Sequence, residues 1–216
     1  KSYLMFLDEI AIHSVRTPMW NNGESDLMTL LLPVFIGFGI SQVILGLALI
    51  SRNSPKSIQQ KFYGAVLFSL LEKGDTLLQD KLNHASLMEA GILSPATMKR
   101  FKHNDISHLT KLLTASDNSP SLVVTEGVFS MDGDLSPLSD IAKVTKENNA
   151  WLMVDDAHGC GVLGNNGRGC CDFYQVTPDI LVVTFGKGFG LSGAAVLCNQ
   201  ECGDYLAQFA RHHVYS

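Results

Sequence analysis

Three short runs of this sequence are almost wholly apolar and finish in residues that carry chemistry. They are Ser121-Leu-Val-Val-Thr125, Trp151-Leu-Met-Val-Asp155 and Ile180-Leu-Val-Val-Thr184. A strand without polar alternation is buried on both faces, the habit of a parallel sheet covered by helices on each side. Elsewhere the period changes. Residues 138–149 place apolar side chains at 138, 141, 142 and 144, one face of a helix. Residues 85–91 and 108–113 read as short helices, and 194–198 as a further strand. The pattern predicts an α/β fold with a mainly parallel central sheet flanked by helices. The chain has 216 residues, 46% hydrophobic and 17% charged, enough for a sizeable core. Its formal charge of −5 offers no basic face for a nucleic acid.

The N-terminal third resists this pattern. Leu27 to Ser51 holds no charged residue, a run long enough to cross a bilayer, which takes about 20 apolar residues. Acids precede it (Glu24, Asp26) and cations follow it (Arg52, Lys56, Lys61), a polarity that sets the C-terminal flank of a spanning segment in the cytoplasm. Pro33, Gly37, Gly39 and Gln42 interrupt it, however, and fit a buried strand followed by a buried helix. The expectation is buried core, no membrane span and a cytoplasmic protein. No secretory leader is legible at the start. Position 1 is Lys and the last residues carry no stop signal, so the chain is expected to be incomplete at both ends. The cysteines (Cys160, Cys170, Cys171, Cys198, Cys202) are odd in number and lack a C-x-x-C spacing, which favours free thiols over a disulfide framework or a zinc site.

The strand ends carry the functional signal. The first run continues as Glu126-Gly-Val-Phe-Ser130-Met131-Asp132-Gly-Asp134, the second as Asp156-Ala-His158-Gly159, the third as Phe185-Gly186-Lys187-Gly188-Phe189-Gly190. In open parallel sheets, ligands collect beyond the carboxyl ends of the strands, so these groups should converge on one crevice. A nucleotide hydrolase would need a G-x-x-x-x-G-K-[ST] loop. Gly186-Lys187 is followed by Gly188, and position 181 is Leu where Gly is required. Gly188-Phe-Gly190-Leu-Ser-Gly193 satisfies G-x-G-x-x-G, but a strand follows it instead of the helix a dinucleotide needs. Ser192 misses the G-x-S-x-G elbow of a serine hydrolase.

A pyridoxal 5′-phosphate enzyme would use every one of these groups. That cofactor takes a lysine amine, a carboxylate to keep its ring nitrogen protonated, a partner for its ring oxygen, and donors for its phosphate. Lys187 between glycines suits the first. Asp155 and His158, three residues apart, suit the nitrogen and the oxygen, and Ser130 and Thr184 suit the oxygen-rich end. Several neighbours have plainer readings. Asp156 reads as a solvent-facing or capping residue, and Asp132 and Asp134 as turn formers. Asp80 and His84 read as anchors of a loop or a subunit contact. His103, His108, His212 and His213 read as surface or helix-end residues.

Asp155-Asp-Ala-His158-Gly, Thr184-Phe-Gly-Lys187-Gly-Phe-Gly and Thr125-Glu126-Gly-Val-Phe-Ser130-Met-Asp-Gly-Asp134 resemble the α-oxoamine synthase family of fold-type I pyridoxal-phosphate enzymes. Asp80-Lys-Leu-Asn-His84-Ala-Ser86, Phe101-Lys-His-Asn-Asp105 and Gly164-Asn-Asn-Gly-Arg-Gly169 extend the likeness, which runs from about Glu72 to Ser216. The resemblance implies a pyridoxal-phosphate-dependent acyltransferase. It implies decarboxylative condensation of L-alanine with a pimeloyl thioester of CoA or acyl carrier protein, with a glycine- and acetyl-CoA-using relative or an inactive truncated chain as alternatives. It also implies a two-fold homodimer with the site near the interface. Carried over, Lys187 is the Schiff-base lysine and the base for the amino-acid α-proton. Asp155 pairs with the ring nitrogen and His158 with the ring oxygen. Ser130 and Thr184 hold the cofactor, and Glu126 sits beside it. Gly37 and Phe38, in Phe35-Ile-Gly37-Phe38-Gly-Ile-Ser-Gln42, resemble the family's turn at the cofactor phosphate. The domain reading is an atypical N-terminal segment over 1–71, a partial cofactor-binding large domain over 72–216, and no C-terminal small domain. About twenty residues, 52–68, are surplus to the family pattern. Its glycine-rich stretch ending in a ring-stacking histidine has no counterpart here, since His13 lacks the glycine context.

Overall fold

A computed structural model describes residues 58–116, 119–190 and 193–210. The apolar run at 27–51, with Gly37 and Phe38, lies outside them, as do His13, His212 and His213. Among the described residues no helix is long and apolar enough to cross a membrane.

The elements alternate. Helix α1 (Ile58–Leu70) leads to β1 (Thr76–Asp80), α2 (Ala85–Leu93), β2 (Thr97–Phe101) and α3 (Ile106–Thr114). Then come β3 (Ser121–Glu126), α4 (Leu138–Glu147), β4 (Trp151–Asp155), α5 (Cys170–Tyr174), β5 (Ile180–Thr184), β6 (Ala194–Cys198) and α6 (Gln200–Phe209). The strands form one sheet in the order β2-β1-β3-β4-β5-β6. All neighbours run parallel except β5 and β6. The α/β class and mainly parallel sheet expected from the apolar runs are therefore observed.

Period-two alternation divides the core between the two faces. Leu78, Val123, Leu152, Val154, Leu181, Val183, Ala195 and Leu197 pack on one side, beneath Leu109 and Leu113 of α3, Leu138 and Ile141 of α4, and the Cys170–Cys171 pair of α5. Leu77, Leu122, Val124, Met153, Ile180, Val182 and Val196 face the other side, beneath Phe62, Tyr63, Val66 and Leu67 of α1, Leu87 and Ala90 of α2, and Leu206 of α6. Each fully buried Leu or Val there contributes about 1.5–3 kcal/mol relative to exposure. Helix α1 falls largely within the segment that the sequence pattern marks as surplus, yet its face closes the core.

The strand order reverses at β1. From there the chain crosses to β2 on one side and later to β3 on the other, which opens a crevice between the carboxyl ends of β1 and β3. Helices α3 and α6 start on side-chain caps: Asp105 accepts from the His108 N–H and Asn199 from the Cys202 N–H. His84 caps α2 through Nδ1, which accepts from the Ser86 N–H at 3.2 Å.

Candidate active site

Glu126 and Asp155 end adjacent strands as register partners. Both are buried. The Asp155 carboxylate accepts from the Ala157 N–H at 3.0 Å through Oδ1, and from the Tyr63 hydroxyl through Oδ2. Burial pushes the Asp155 pKa up to about 6, against the downward pull of these two bonds and of the Lys187 charge. Glu126 accepts from the backbone N–H of His84 on one oxygen and of Ser130, at 3.2 Å, on the other. Burial, reinforced by the nearby Asp155, pushes its pKa up to about 8. At neutral pH Glu126 is thus largely a neutral acid that clasps two loops.

The Lys187 loop lies against the loop that follows Asp155. A Cβ on Gly188 would stand 2.7 Å from the Cys160 carbonyl oxygen, so only glycine permits this approach. Lys187 itself is exposed. Its charge reaches Asp155, His84 and His158. Both histidines are held below the usual imidazole pKa, by burial first and by Lys187 second, with His84 also acting on His158. They are neutral at pH 7. Thr184 completes the cluster at the end of β5. Its hydroxyl is buried and, among the described residues, has no hydrogen-bond partner. A buried orphan donor at a strand end, two neutral imidazoles, an exposed amine and a buried carboxylate suit a flat, anionic, nitrogen-containing ligand.

The structure therefore brings Glu126, Asp155, His158, Thr184 and Lys187 to one edge of the sheet. Ser130 joins them through its N–H to Glu126. His84, a residue to which the sequence assigned no chemistry, stands beside Lys187 and His158. The available signal was its place directly after the carboxyl end of β1. Asp156 is not solvent-facing. It is wholly buried and accepts from the Cys170 N–H at 2.8 Å, capping α5, and from the Cys160 thiol at 3.3 Å. His103 is not a plain surface residue either. Its two ring nitrogens lie 2.9 Å from Asp80 and 2.6 Å from Asp134. Asp134 is thereby more than a turn former. His108 keeps its helix-end role, accepting from the Lys102 N–H at 2.9 Å.

A family model for aminotransferase class I and II matches residues 62–216, and the chain belongs to that family. Among curated relatives, 8-amino-7-oxononanoate synthase of Aliivibrio fischeri is 86% identical over 152 residues, covering 70% of this chain and 40% of that protein. Among solved structures, serine palmitoyltransferase from S. paucimobilis with a bound PLP–myriocin aldimine superposes with a TM-score of 0.74 at 25% identity, covering 100% of this chain and 55% of that one. The 8-amino-7-oxononanoate synthase of Francisella tularensis gives 0.66 at 29% identity, covering 88% of this chain and 60% of that one. The chain spans about two-fifths of the length of the curated relatives it matches.

Proposed function

We propose that the chain is the cofactor-binding part of an 8-amino-7-oxononanoate synthase. It would bind pyridoxal 5′-phosphate and condense L-alanine with a pimeloyl thioester of CoA or acyl carrier protein, with loss of CO2, a reaction of biotin biosynthesis. The carrying observation is the convergence at one sheet edge of Lys187, Asp155, His158 and a Thr184 hydroxyl that has no hydrogen-bond partner among the described residues. The 86% identity to a synthase of that name supports the choice of substrates. Residues 72–216 then form part of the large domain, whose core is closed by α1 at the end of an otherwise divergent N-terminal segment over 1–71.

Pyridoxal phosphate, when bound, supplies an electron sink for negative charge at the amino-acid α-carbon. The chain's own residues do the rest. Asp155 would keep a proton on the ring nitrogen by offering it a buried carboxylate. His158, neutral under burial and the Lys187 charge, hydrogen-bonds the ring oxygen. Thr184 donates its free hydroxyl, and Ser130 serves the same oxygen-rich end. Gly37 and Phe38 belong to this reading as the phosphate turn. Lys187 carries the attaching amine and removes the α-proton. His84 offers a neutral aromatic ring to the same space. Glu126 positions rather than reacts, since both its oxygens hold backbone N–H groups of the loops bearing His84 and Ser130. Met131 and Val162 are exposed apolar residues on loops flanking the site, which supports a homodimer contact there. A cytoplasmic location completes the proposal.

Exchange of the alanine α-proton in D2O tests the reading, because it needs only the cofactor, Lys187 and alanine. We expect cofactor-dependent exchange that Lys187→Ala abolishes, and thiol release when a pimeloyl thioester is added. Cofactor-loaded protein that exchanges the α-proton of glycine but not of alanine would refute the substrate assignment.

A further inference from the structure

Helix α1 delivers the Tyr63 hydroxyl to Asp155, across 92 positions of sequence. Tyr63 is fully buried, and Asp155 is only 2% exposed. One carboxylate oxygen of Asp155 is tied to the backbone at Ala157, and the phenol covers the other. Little open surface remains through which another donor could approach. Burial and the proximity of Asp155 also keep the phenol protonated, so it remains a donor throughout the working pH range. The phenol thus offers this carboxylate what a protonated ring nitrogen would offer: one donor on the end of a flat six-membered ring.

We propose that Tyr63 is a stand-in for the cofactor ring at Asp155, and that cofactor must displace its hydroxyl to bind. This inference rests on the cofactor reading above and goes beyond it. It makes Tyr63 a determinant of cofactor affinity that acts through the occupancy of Asp155. The stand-in satisfies a buried carboxylate that would otherwise be costly in the cofactor-free protein. The same bond opposes loading, because the phenol–carboxylate hydrogen bond is lost as the ring nitrogen replaces it.

Pyridoxal 5′-phosphate is titrated into the wild-type chain and Tyr63→Phe, with binding followed by absorbance and thermal melts recorded with and without cofactor. The variant should melt lower when empty, bind cofactor about tenfold more tightly, and show the larger cofactor-induced rise in melting temperature, since a hydrogen bond to a charged group no longer has to be broken. Equal or weaker binding by the variant would overturn the inference, making the phenol a bystander or a co-donor, while leaving the cofactor reading intact. If neither protein binds the cofactor at all, the cofactor reading fails first and takes this inference with it. Should Tyr63→Phe not fold, the tyrosine Raman doublet of a chain whose other four tyrosines are replaced by Phe reads the phenol's donor state directly. It should change on loading, and an unchanged doublet with cofactor bound would also overturn the inference.

Discussion

His103 bridges two carboxylates, and chemistry dictates what that bridge needs. Ionised carboxylates only accept hydrogen bonds, so an imidazole that bonds Asp80 at Nδ1 (2.9 Å) and Asp134 at Nε2 (2.6 Å) must carry both protons. Burial pulls the His103 pKa down, but the hydrogen bonds and charges of Asp80 and Asp134 outweigh it, and the net shift is upward. The bridge joins the end of β1 to the loops that follow β2 and β3. Asp80 also accepts from the Leu82 N–H at 2.8 Å and the Asn104 N–H at 2.9 Å, and the Asn104 side chain donates to Asp134 at 3.0 Å. His103→Ala removes two charge-assisted bonds worth about 1.5–3 kcal/mol each. Partial exposure of the ring and of Asp134, and the two backbone donors left on Asp80, put the total near the low end, about 3 kcal/mol. For a chain of this size that lowers the melting temperature by roughly 6–12 °C. Because the folded-state pKa is raised, this stabilisation is complete below the ordinary value of 6.5 and is lost as pH rises through the folded value. A neutral ring has one N–H, so one bond goes and about half the difference with it. Melting curves of wild type and variant at about pH 5.5 and about pH 9.5 should therefore differ widely at the lower pH and much less at the higher. Equal gaps at the two pH values would show that the bridge is not an imidazolium, and no gap at the lower one would show that it bears no load.

Further expectations follow from the same site. Thr184→Val removes a buried hydroxyl that has no partner among the described residues, so the empty chain should be equally or more stable to urea while cofactor affinity falls about tenfold; an unchanged affinity would remove Thr184 from the cofactor's contacts. Glu126→Gln cannot ionise. Since the folded-state pKa of Glu126 is raised from 4.5 to about 8, its neutral form is favoured by folding, and the wild type should lose stability relative to the variant as pH climbs across that interval; parallel urea midpoints would refute the shift. A Cβ on Gly159 would run into the buried Asp156 carboxylate and the Cys170 sulfur, so Gly159→Ala should cost at least about 3 kcal/mol and show as lost soluble protein or a collapsed urea midpoint.

Much of the sheet was legible because β3, β4 and β5 are buried on both faces and therefore nearly all apolar. Helices α2, α3 and α4 were legible too. Strand β1 was not, because its sequence, Thr-Leu-Leu-Gln-Asp, looks half polar although every residue is buried. Tertiary partners resolve this: the Gln79 amide donates to the Leu87 carbonyl at 2.9 Å, and Asp80 is taken by His103 and Asn104. Strand β2 is an edge strand with exposed or half-exposed Lys99 and Arg100, so it carries little core signal. Helix α1 showed no clear polar face and fell where the family pattern had no place for it.

The site divides in the same way. Lys187, Asp155, His158 and Thr184 were visible as strand ends, since topology alone brings such ends together. His84 escaped because it lies just beyond β1, a strand whose half-polar sequence gives little signal of its own. Tyr63 could not be found from sequence, because its contact with Asp155 depends on how α1 lies across the sheet.

In the proposed function the Lys187 amine and the Asp155 carboxylate flank one pyridoxal ring. Borohydride reduction of the cofactor-treated chain, followed by peptide mapping, tests it most directly. One dominant pyridoxyl-modified peptide, containing Lys187, is expected, with labelling sharply reduced in Asp155→Ala. Label scattered over the surface lysines, or labelling of Lys187 indifferent to the loss of Asp155, would contradict it.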